Sequence, residues 1–408
     1  MKKSISVLIS GASIAGPVLA YWLNRYGFKV TVVERSPELR LGGQNIDIQG
    51  AARTVIGLMG LEQSVRDAST TEEGLSFVDE NGVSKAEFPV GSSRTSRGTK
   101  ELEILRGELA HILHHKTAGN VEYIFDDQII GLDEHDDVIS IDFAKGSKRD
   151  FDLVIAADGI RSRTRKLILK EDAEIRSLGM YCAYFSIPKL DRDNNWWRWY
   201  NATNSRSIHL RPDNQGTIRA SVWFVSKPMG YEELSQEDQK KIITQKFAGA
   251  GWEAERVVAA LQHSKDMYFE NLSQLHASKW SRGRGVIVGD CAYGPSPLTG
   301  MGTSLAIVGA YVLAGELARH SEHQVAFDAY EKLMRPYVDM AQKIPRGIPK
   351  LSHPKSKVGI WLLHKIAKLA SKKIFTGGNG LGESSADDIS LPDYLLNRES
   401  KLLNTITH

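Results

Sequence analysis

The chain has 408 residues, of which 41% are hydrophobic and 25% charged, a composition typical of a soluble globular protein with more than one domain. Its 52 basic and 49 acidic residues leave a net charge of only +3, without long blocks of one sign, so nucleic acid is not expected as a partner. The two cysteines lack metal-ligand spacing and no apolar run reaches the roughly 18 residues of a membrane span, so we expect a cytoplasmic protein without a metal site, a disulfide or a spanning helix.

The N-terminal residues predict a β-strand (5–10), a helix (16–27) and a second strand (29–35). The turn between the first strand and the helix has Gly11 and Gly16 at the outer positions of a GxGxxG pattern, whereas Ser13 occupies the middle one. Glu34 follows 23 residues after Gly11, where a carboxylate can accept hydrogen bonds from ribose hydroxyls and would repel a 2′-phosphate. We therefore predict an adenine dinucleotide other than NADP in this pocket.

Two later segments predict further buried strands that end in turns. They are FDLVIAADG (151–159) and RGVIVGD (284–290). Between them, alternating apolar and polar residues predict antiparallel strands near 180–188, 205–212 and 216–226. The predicted fold is α/β, with a discontinuous Rossmann-like domain (1–175 and 271–345), an inserted antiparallel-sheet domain (176–270) and a C-terminal segment (346–408).

Residues 285–318 combine a strand that ends at Asp290, a Gly/Pro-rich loop and a long helix of small residues that starts near Gly302. An acid at a strand end can hold a sugar-alcohol hydroxyl, and the free N–H groups of Gly300 to Thr303 would stabilise negative charge at the helix start. A reduced flavin is the ligand that needs both features.

The C-terminal segment begins with three prolines in residues 342–357, which favour a linker. The next predicted element, 358–375, is an amphipathic helix with Val358, Trp361, Leu362, Ile366 and Leu369 on one face. A lid over the substrate or packing on the first domain is favoured over membrane contact through Lys365, Lys368 and Lys372. The tail after this helix is predicted to be loosely ordered.

Over about residues 5–345 the chain resembles the flavin-dependent aromatic hydroxylases, the class A FAD monooxygenases with the p-hydroxybenzoate hydroxylase fold. Three motifs in the family's order carry the resemblance: GxGxxG with its ribose acid (Gly11, Gly16, Glu34), DG (Asp158, Gly159, Arg161) and GD (Gly289, Asp290, Pro295, Gly300, Gly302). The segments GGQNIDIQGAA and YGPSPLTGMG are similar to the tetracycline-inactivating branch.

The resemblance implies that FAD contacts Gly11, Ser13, Ile14, Ala15, Gly16, Glu34, Arg35, Gly43, Gln44, Arg106, Asp158, Gly159, Asp290, Pro297, Gly300, Met301, Gly302 and Thr303. Three residues depart from the family pattern: Tyr293 replaces a histidine, Met301 a glutamine and Thr303 an asparagine. We expect these departures to lie around the flavin ring and to affect its mobility and reduction.

The implied reaction reduces FAD with NADPH, or with NADH, traps O2 as a flavin C4a-hydroperoxide and inserts one oxygen atom into a phenolic or polycyclic, polyketide-like small molecule. Arg161, Arg163 and Arg165 are candidates for the 2′-phosphate of NADPH, or form a solvated helix start. A non-catalytic FAD-binding protein and a flavin reductase or halogenase remain alternatives, although WWRWYN lacks the Ile-Pro of halogenases. Whether the protein is a monomer or a homodimer stays open.

Aromatic residues of the middle strands are candidates for the substrate pocket. They are Trp197, Trp199, Trp223 and Phe224, and ordinary sheet core is the alternative interpretation. No side-chain nucleophile is predicted, because the flavin carries the chemistry. His209 or Arg211 is a candidate to deprotonate or orient a phenol or enol.

Overall fold

The structure, a computed structural model, describes residues 4–40, 42–90, 102–170, 173–345, 347–375 and 389–394, and of the side chains of 373–375 nothing is said. Within these ranges the strands are β1 (Ser6–Ser10), β2 (Lys29–Glu34), β3 (Asn45–Ile48), β4 (Gly74–Val78), β5 (Ser84–Pro89), β6 (Leu102–Leu105), β7 (Glu122–Phe125), β8 (Ile129–Glu134), β9 (Ile139–Phe143), β10 (Arg149–Phe151), β11 (Leu153–Ala156), β12 (Glu174–Pro188), β13 (Trp196–Ala202), β14 (Arg206–Pro212), β15 (Thr217–Val225), β16 (Tyr268–His276), β17 (Ser281–Arg282) and β18 (Gly285–Ile287). The helices are α1 (Ala15–Arg25), α2 (Gly50–Leu58), α3 (Glu62–Asp67), α4 (Arg106–Thr117), α5 (Arg163–Leu169), α6 (Gln236–Phe247), α7 (Ala254–His263), α8 (Asp290–Tyr293), α9 (Gly302–Arg319), α10 (His323–Ala341), α11 (Ile348–Ser352) and α12 (Lys357–Phe375).

The first sheet has the strand order β17-β18-β11-β1-β2-β7 and is parallel apart from the β17–β18 hairpin. Its central strands are continuous apolar runs, as expected of strands covered on both faces. Only β11 separates β1 from β18. Because parallel strands end at the same edge, the turns that follow β1 and β18 lie side by side. The predicted α/β class, with a Rossmann-like domain and an antiparallel sheet domain, is confirmed.

The second sheet has the order β16-β12-β15-β14-β13-β4-β5. Its pairs are antiparallel except for β13 and β4. The sheet thus extends beyond the predicted 176–270 insertion, since β4 and β5 come from residues 74–89. A parallel partner from more than 100 residues away leaves no local signal in the sequence.

The two faces of this sheet have different neighbours. On one face, α6 and α7 cover an apolar core that contains Tyr181, Phe224 and Phe247. The other face carries Cys182 and Trp223 and meets Leu298, from the Gly/Pro-rich loop after β18. Because that loop belongs to the flavin-type motif, the second face borders the predicted cofactor region.

The C-terminal segment is docked on the second sheet, which differs from the predicted linker. Its residues 348–352 form α11, and Asn201 Nδ2 donates to the Ser352 carbonyl at 2.9 Å. The amide of Asn204 donates to the Lys355 carbonyl at 2.9 Å. Helix α12 then packs along the edge strand β5. Of the tail predicted to be loosely ordered, all but residues 389–394 lies outside the described ranges.

Helix α12 is amphipathic as predicted, and its apolar face is turned outward. The apolar residues Val358, Trp361, Leu362, Ile366 and Leu369 are 47–75% exposed, whereas Ala367 and Ser371 on the other side are buried. The sequence showed the periodicity but not which side faces protein. None of the helices in the described ranges has the length and hydrophobicity needed to cross a membrane.

Candidate flavin and substrate site

The turn after β1 requires its two glycines. Gly11 has φ +110°, and a Cβ there would lie 2.6 Å from the carbonyl oxygen of Ala157. A Cβ on Gly16 would overlap the Gly11 carbonyl oxygen. Ile14, the N-cap of α1, makes no side-chain capping bond, so the first N–H groups of the helix remain available to an anion.

Ser13, at the middle glycine position, has a polar partner. Its hydroxyl oxygen accepts a hydrogen bond from Arg106 Nη2 at 3.0 Å. Arg106 is the first residue of α4, and its amide donates to the Gln44 carbonyl at 3.1 Å. Gly43 packs against the same side chain, since a Cβ there would be 3.2 Å from Arg106 Cβ. The serine thus positions an arginine beside the turn instead of closing the site.

Glu34 stands at the end of β2 with its carboxylate fixed. Oε2 accepts from the Ala12 amide at 3.0 Å and Oε1 from the Ser36 amide at 3.1 Å. The next residue, Arg35, is exposed. A narrow cleft adjoins this carboxylate and is lined by Ala12, Ser13, Glu34, Glu38, Leu39, Arg40, Arg106 and Ala110.

The GD motif meets the first turn directly. Gly289 has φ +68°, and a Cβ there would lie 3.1 Å from the Ala15 Cβ. Asp290 follows, and burial raises the pKa of its carboxyl while Arg106 lowers it. Arg106 therefore lies between Ser13 of the first turn and Asp290 of the second. The two strand ends converge on one cleft.

The start of α9 completes this cleft. A Cβ on Gly302 would lie 3.8 Å from Asp290 Oδ1, so the carboxylate is beside the helix N-terminus. The N-cap Met301 is buried and makes no side-chain capping bond, which leaves the amides of Gly302 and Thr303 available. The preceding loop turns through a 3₁₀ segment (Pro297–Thr299) that is capped by Gly300, whose φ is +65°. Two uncapped helix N-termini and two carboxylates are the donor and acceptor set that an extended FAD requires.

The DG motif is bonded within its own loop. Asp158 accepts from the Ser162 hydroxyl and, at 3.1 Å, from Thr164 Oγ1, and Gly159 takes φ +90°. Arg165 is buried and donates to the Ile160 and Cys291 carbonyls at 3.0 and 3.1 Å. Arg165 is therefore not a candidate for the 2′-phosphate, because its guanidinium joins the DG loop to the GD loop.

The Tyr293 side chain packs in the hydrophobic core of the first domain, in contrast to the expected position around the flavin ring. Its ring packs 4.7 Å from that of Trp280, and its hydroxyl accepts from Tyr330 at 3.1 Å. The absence of a side chain at Gly309 makes room for the Tyr293 hydroxyl. The motif located the residue correctly but not the direction of its side chain.

Comparison with known proteins decides the family. Residues 4–344 match the model of the FAD binding domain family. Flavin-dependent monooxygenases from Legionella longbeachae and from Phoma sp (eupH) are each 34% identical, with 97% and 96% of this chain and 99% and 98% of theirs covered. The crystal structure of tetracycline destructase Tet(55) is similar with a TM-score of 0.81 and 34% identity, covering 97% of this chain and 100% of that one.

The chain belongs to the FAD-binding family of flavin-dependent monooxygenases. The predicted family and enzyme class are confirmed, and FAD is the cofactor.

The monooxygenase has an aromatic wall on the sheet face that borders the cleft, formed by Trp197, Trp199, His209 and Trp223. Strand register pairs Trp199 with His209, and the ring centroids are 4.3 Å apart. The rings of His209 and Trp223 are parallel within 3° at 5.3 Å. The indole Nε1 atoms of Trp197 and Trp199 are buried without a hydrogen-bond partner. Phe224 is not part of this wall, because neighbouring strand residues alternate and it packs in the core beneath α6.

His209 is the end of a buried hydrogen-bonded chain. Ser207 Oγ lies 2.8 Å from His209 Nε2 and 2.8 Å from His353 Nε2. His353 Nδ1 lies 3.0 Å from Ser352 Oγ, whose own proton goes to the Ile348 carbonyl at 2.9 Å, so His353 donates through Nδ1 and accepts from Ser207 through Nε2. Ser207 then accepts from His209 Nε2–H, which leaves His209 Nδ1 as an acceptor. Burial lowers the pKa of both histidines, that of His353 to about 4, so both are neutral at pH 7.

Arg211 is not free to orient a substrate. Its Nε donates to Glu72 at 2.9 Å and its Nη2 to Glu103 at 3.0 Å, and the guanidinium stacks 4.3 Å from Trp197. Glu103 lies on β6, so this ion cluster joins the second sheet to the flavin-binding part.

Glu270 on β16 is a site residue that sequence reasoning missed. Burial and the charge of Asp290 raise the pKa of its carboxyl to about 7, and the Tyr268 hydroxyl donates to it at 3.4 Å. In the sequence it is one polar residue of an alternating strand, which resembles a solvated face. His353 left no signal either, because it meets Ser207 across 146 residues.

Proposed function

We propose that this monooxygenase uses NADPH, or NADH, and O2 to insert one oxygen atom into a phenolic or polycyclic, tetracycline-like small molecule. The observation that carries the proposal is Arg106, which bonds to Ser13 and faces Asp290, so that both flavin motifs border one cleft beside an aromatic wall. Bound FAD would supply the redox chemistry, with one atom of O2 entering the substrate and the other leaving as water.

The residues around the cleft divide into those for the nucleotide half and those for the flavin half. In the nucleotide half, Glu34 would accept hydrogen bonds from the ribose hydroxyls. The N-terminus of α1 and Arg106 would bind the pyrophosphate, and the exposed Arg35 would lie beside the adenosine. For the flavin half, Asp290 would accept from the ribityl chain and the N-terminus of α9 would stabilise negative charge on the reduced ring. Asp158 and Gly159 would shape the loop between the two halves. The remaining proposed contacts are Gly11, Ser13, Ile14, Ala15, Gly16, Gly43, Gln44, Pro297, Gly300, Met301, Gly302 and Thr303.

The substrate class follows from the aromatic wall. Three indoles and an imidazole on one sheet face can stack on a flat, fused-ring molecule. The unpaired indole N–H groups of Trp197 and Trp199 can donate to substrate oxygens, whereas that of Trp223 donates to Ser221 Oγ at 2.9 Å. The 34% identity to a tetracycline destructase supports the same class.

For a substrate of this class, we propose that His209 binds and deprotonates its hydroxyl group. The neutral Nδ1 of this histidine would accept the proton, while the hydrogen bonds from His209 Nε2 to Ser207 and from Ser207 to His353 would hold the ring in this tautomer. His209→Gln should lower kcat by about a hundredfold, since a positioned base contributes about 10² to 10⁴ in rate. KM and the rate of FAD reduction by NADPH should change little. If a substrate analogue without the hydroxyl loses as much rate in this variant, the assignment to proton transfer is wrong.

The experiment for the reaction itself is a substrate screen. The purified protein should be yellow, should release FAD on denaturation and should oxidise NADPH faster with tetracyclines or aromatic polyketides, giving a product one oxygen atom heavier. Oxygen from ¹⁸O2 should appear in that product. If FAD binds but no member of the panel stimulates NADPH oxidation or is oxygenated, the proposed substrate class is wrong.

A further inference from the structure

The outward side of α12 combines two surface properties that the monooxygenase reaction does not use. The first is the exposed apolar stripe, defined as Val358, Trp361, Leu362, Ile366 and Leu369. These residues recur at helical spacing and form one band along the 19-residue helix, about 28 Å long. Large apolar side chains that are singly exposed need no explanation, whereas a contiguous band of five marks an interaction surface.

The second property is the charge around this stripe. Between Asp339 and Glu383 the sequence has nine Lys and Arg and no Asp or Glu, in a chain whose net charge is only +3. Lys365 and Lys368 are exposed; at 3.6 residues per turn Lys365 falls within the stripe, between Trp361 and Val358, and Lys368 lies at the border next to Trp361. The Lys365 ammonium lies 5.5 Å from the Trp361 ring centroid. The segment is therefore strongly basic where the rest of the chain is net acidic.

The inner side of α12 is already occupied. It packs along β5, and the His364 ring lies 6.2 Å from that of Phe77 on β4. Only the outward half of the helix is available to a partner, which suits a planar surface better than a groove that wraps a helix. A basic helix with Trp and Leu on its apolar side has the composition of helices that lie in the interface of a membrane.

We propose that the stripe and its lysines dock this protein on the surface of an anionic lipid bilayer. The apolar side chains would enter the headgroup region, and the lysines would pair with anionic headgroups. The protein would lie on the bilayer without spanning it.

The test is sedimentation of the full-length, FAD-loaded protein with vesicles. It should sediment with equimolar phosphatidylglycerol and phosphatidylcholine, not with phosphatidylcholine alone, and less at high salt. The double variant Lys365→Gln/Lys368→Gln should lower the partition coefficient about 25-fold, since each lysine near an anionic surface contributes about fivefold. Leu362→Ser/Leu369→Ser should lower it by about tenfold or more.

Matched controls are Lys279→Gln/Lys332→Gln and Ile130→Ser/Met229→Ser, which change exposed residues away from α12. They should bind vesicles like the unchanged protein. Absence of binding to anionic vesicles, or equal losses in the controls, would overturn the proposal. So would a lipid-free dimer that the leucine variant dissociates, because a second copy would then cover the stripe. Flavin absorbance and NADPH oxidation in all variants report separately on the monooxygenase.

Discussion

Asp290 is buried, and burial raises the pKa of its carboxyl because it disfavours the ionised form. A raised pKa in the folded state means that the ionised group costs stability at pH values above its unfolded pKa. Asp290→Asn should therefore stabilise the apoprotein at pH 8, and the gain should vanish near pH 3. The same change should weaken FAD binding about tenfold to a hundredfold, because a hydrogen bond to a charged group contributes about 1.5–3 kcal/mol.

These two opposite effects are measured by urea unfolding of the apoprotein and by flavin fluorescence titration. Glu38→Gln, in the cleft beside Glu34, is the matched control. It should change neither the stability of the apoprotein nor the affinity for FAD by much. An Asp290→Asn protein that binds FAD as tightly as the unchanged enzyme would show that this carboxylate does not hold the ribityl chain.

Tyr293 and Gly309 form a packing pair at the same end of the cleft. A methyl group at Gly309 would overlap the Tyr293 hydroxyl, so Gly309→Ala should destabilise the protein by about 1–3 kcal/mol. Adding Tyr293→Phe removes the hydroxyl and should recover part of that loss in thermal unfolding. Tyr293→Phe alone should leave the flavin spectrum and the rate of its reduction unchanged. A large change in that rate would place Tyr293 at the ring after all.

Single residues show what motif spacing can establish. Spacing placed Gly11, Glu34 and Asp290 at or just after strand ends and Gly16 at a helix start, because the tight turns constrain the local backbone. It could not give the direction of a side chain, so Tyr293 was expected at the flavin. The positions of such side chains depend on partners that are distant in the chain, such as Trp280 and Tyr330 for Tyr293.

The docked segment around α11 is held by a histidine that is buried in neutral form. Burial lowers the pKa of His353 to about 4, whereas in the unfolded chain it titrates near 6.5. Below pH 6.5 the unfolded state binds more protons, so stability should fall by roughly 3 kcal/mol as the pH drops from 6.5 to 4. His209, whose pKa burial also lowers, adds to this loss.

The free energy of unfolding, measured by urea at a series of pH values, checks this dependence. His353→Gln should flatten the curve between pH 6.5 and 4 because glutamine takes up no proton there. His135→Gln, at an exposed position, should keep the slope of the unchanged protein. A slope that is identical in the two variants would mean that the docking of this segment does not depend on neutral His353.

Elements with strong local patterns were predicted within a few residues. The first strand, helix and second strand were expected at 5–10, 16–27 and 29–35 and lie at Ser6–Ser10, Ala15–Arg25 and Lys29–Glu34. The proline-containing segment was expected as a linker, yet its backbone is bonded to Asn201 and Asn204 of the second sheet. Such pairing between distant segments has no periodicity that one sequence can reveal. For the same reason the sequence could not show which face of α12 packs on the protein.

At the scale of the whole molecule, Arg211 joins the second sheet to the flavin-binding part through a buried ion cluster. The Arg211 guanidinium forms ion pairs with Glu72 and Glu103, and the negative charge of Asp47 also acts on Glu72. Burial raises the pKa of Glu72, and Arg211 opposes that rise. Removing the arginine would leave buried carboxylates without their counter-charge, a loss that typically costs about 3–5 kcal/mol.

Arg211→Gln should therefore destabilise the protein by about 3–5 kcal/mol at pH 8 and by clearly less at pH 5.5, because Glu72 can then take up a proton and become neutral. Arg149→Gln, which breaks a largely exposed pair with Glu122, should cost less than about 1 kcal/mol at either pH. Urea unfolding of each variant and of the unchanged protein at both pH values measures these changes in the free energy of unfolding. If Arg211→Gln costs the same at pH 5.5 as at pH 8, the carboxylates do not carry the penalty, and the stacking of Arg211 on Trp197 within the second sheet would be the contact whose loss lowers stability.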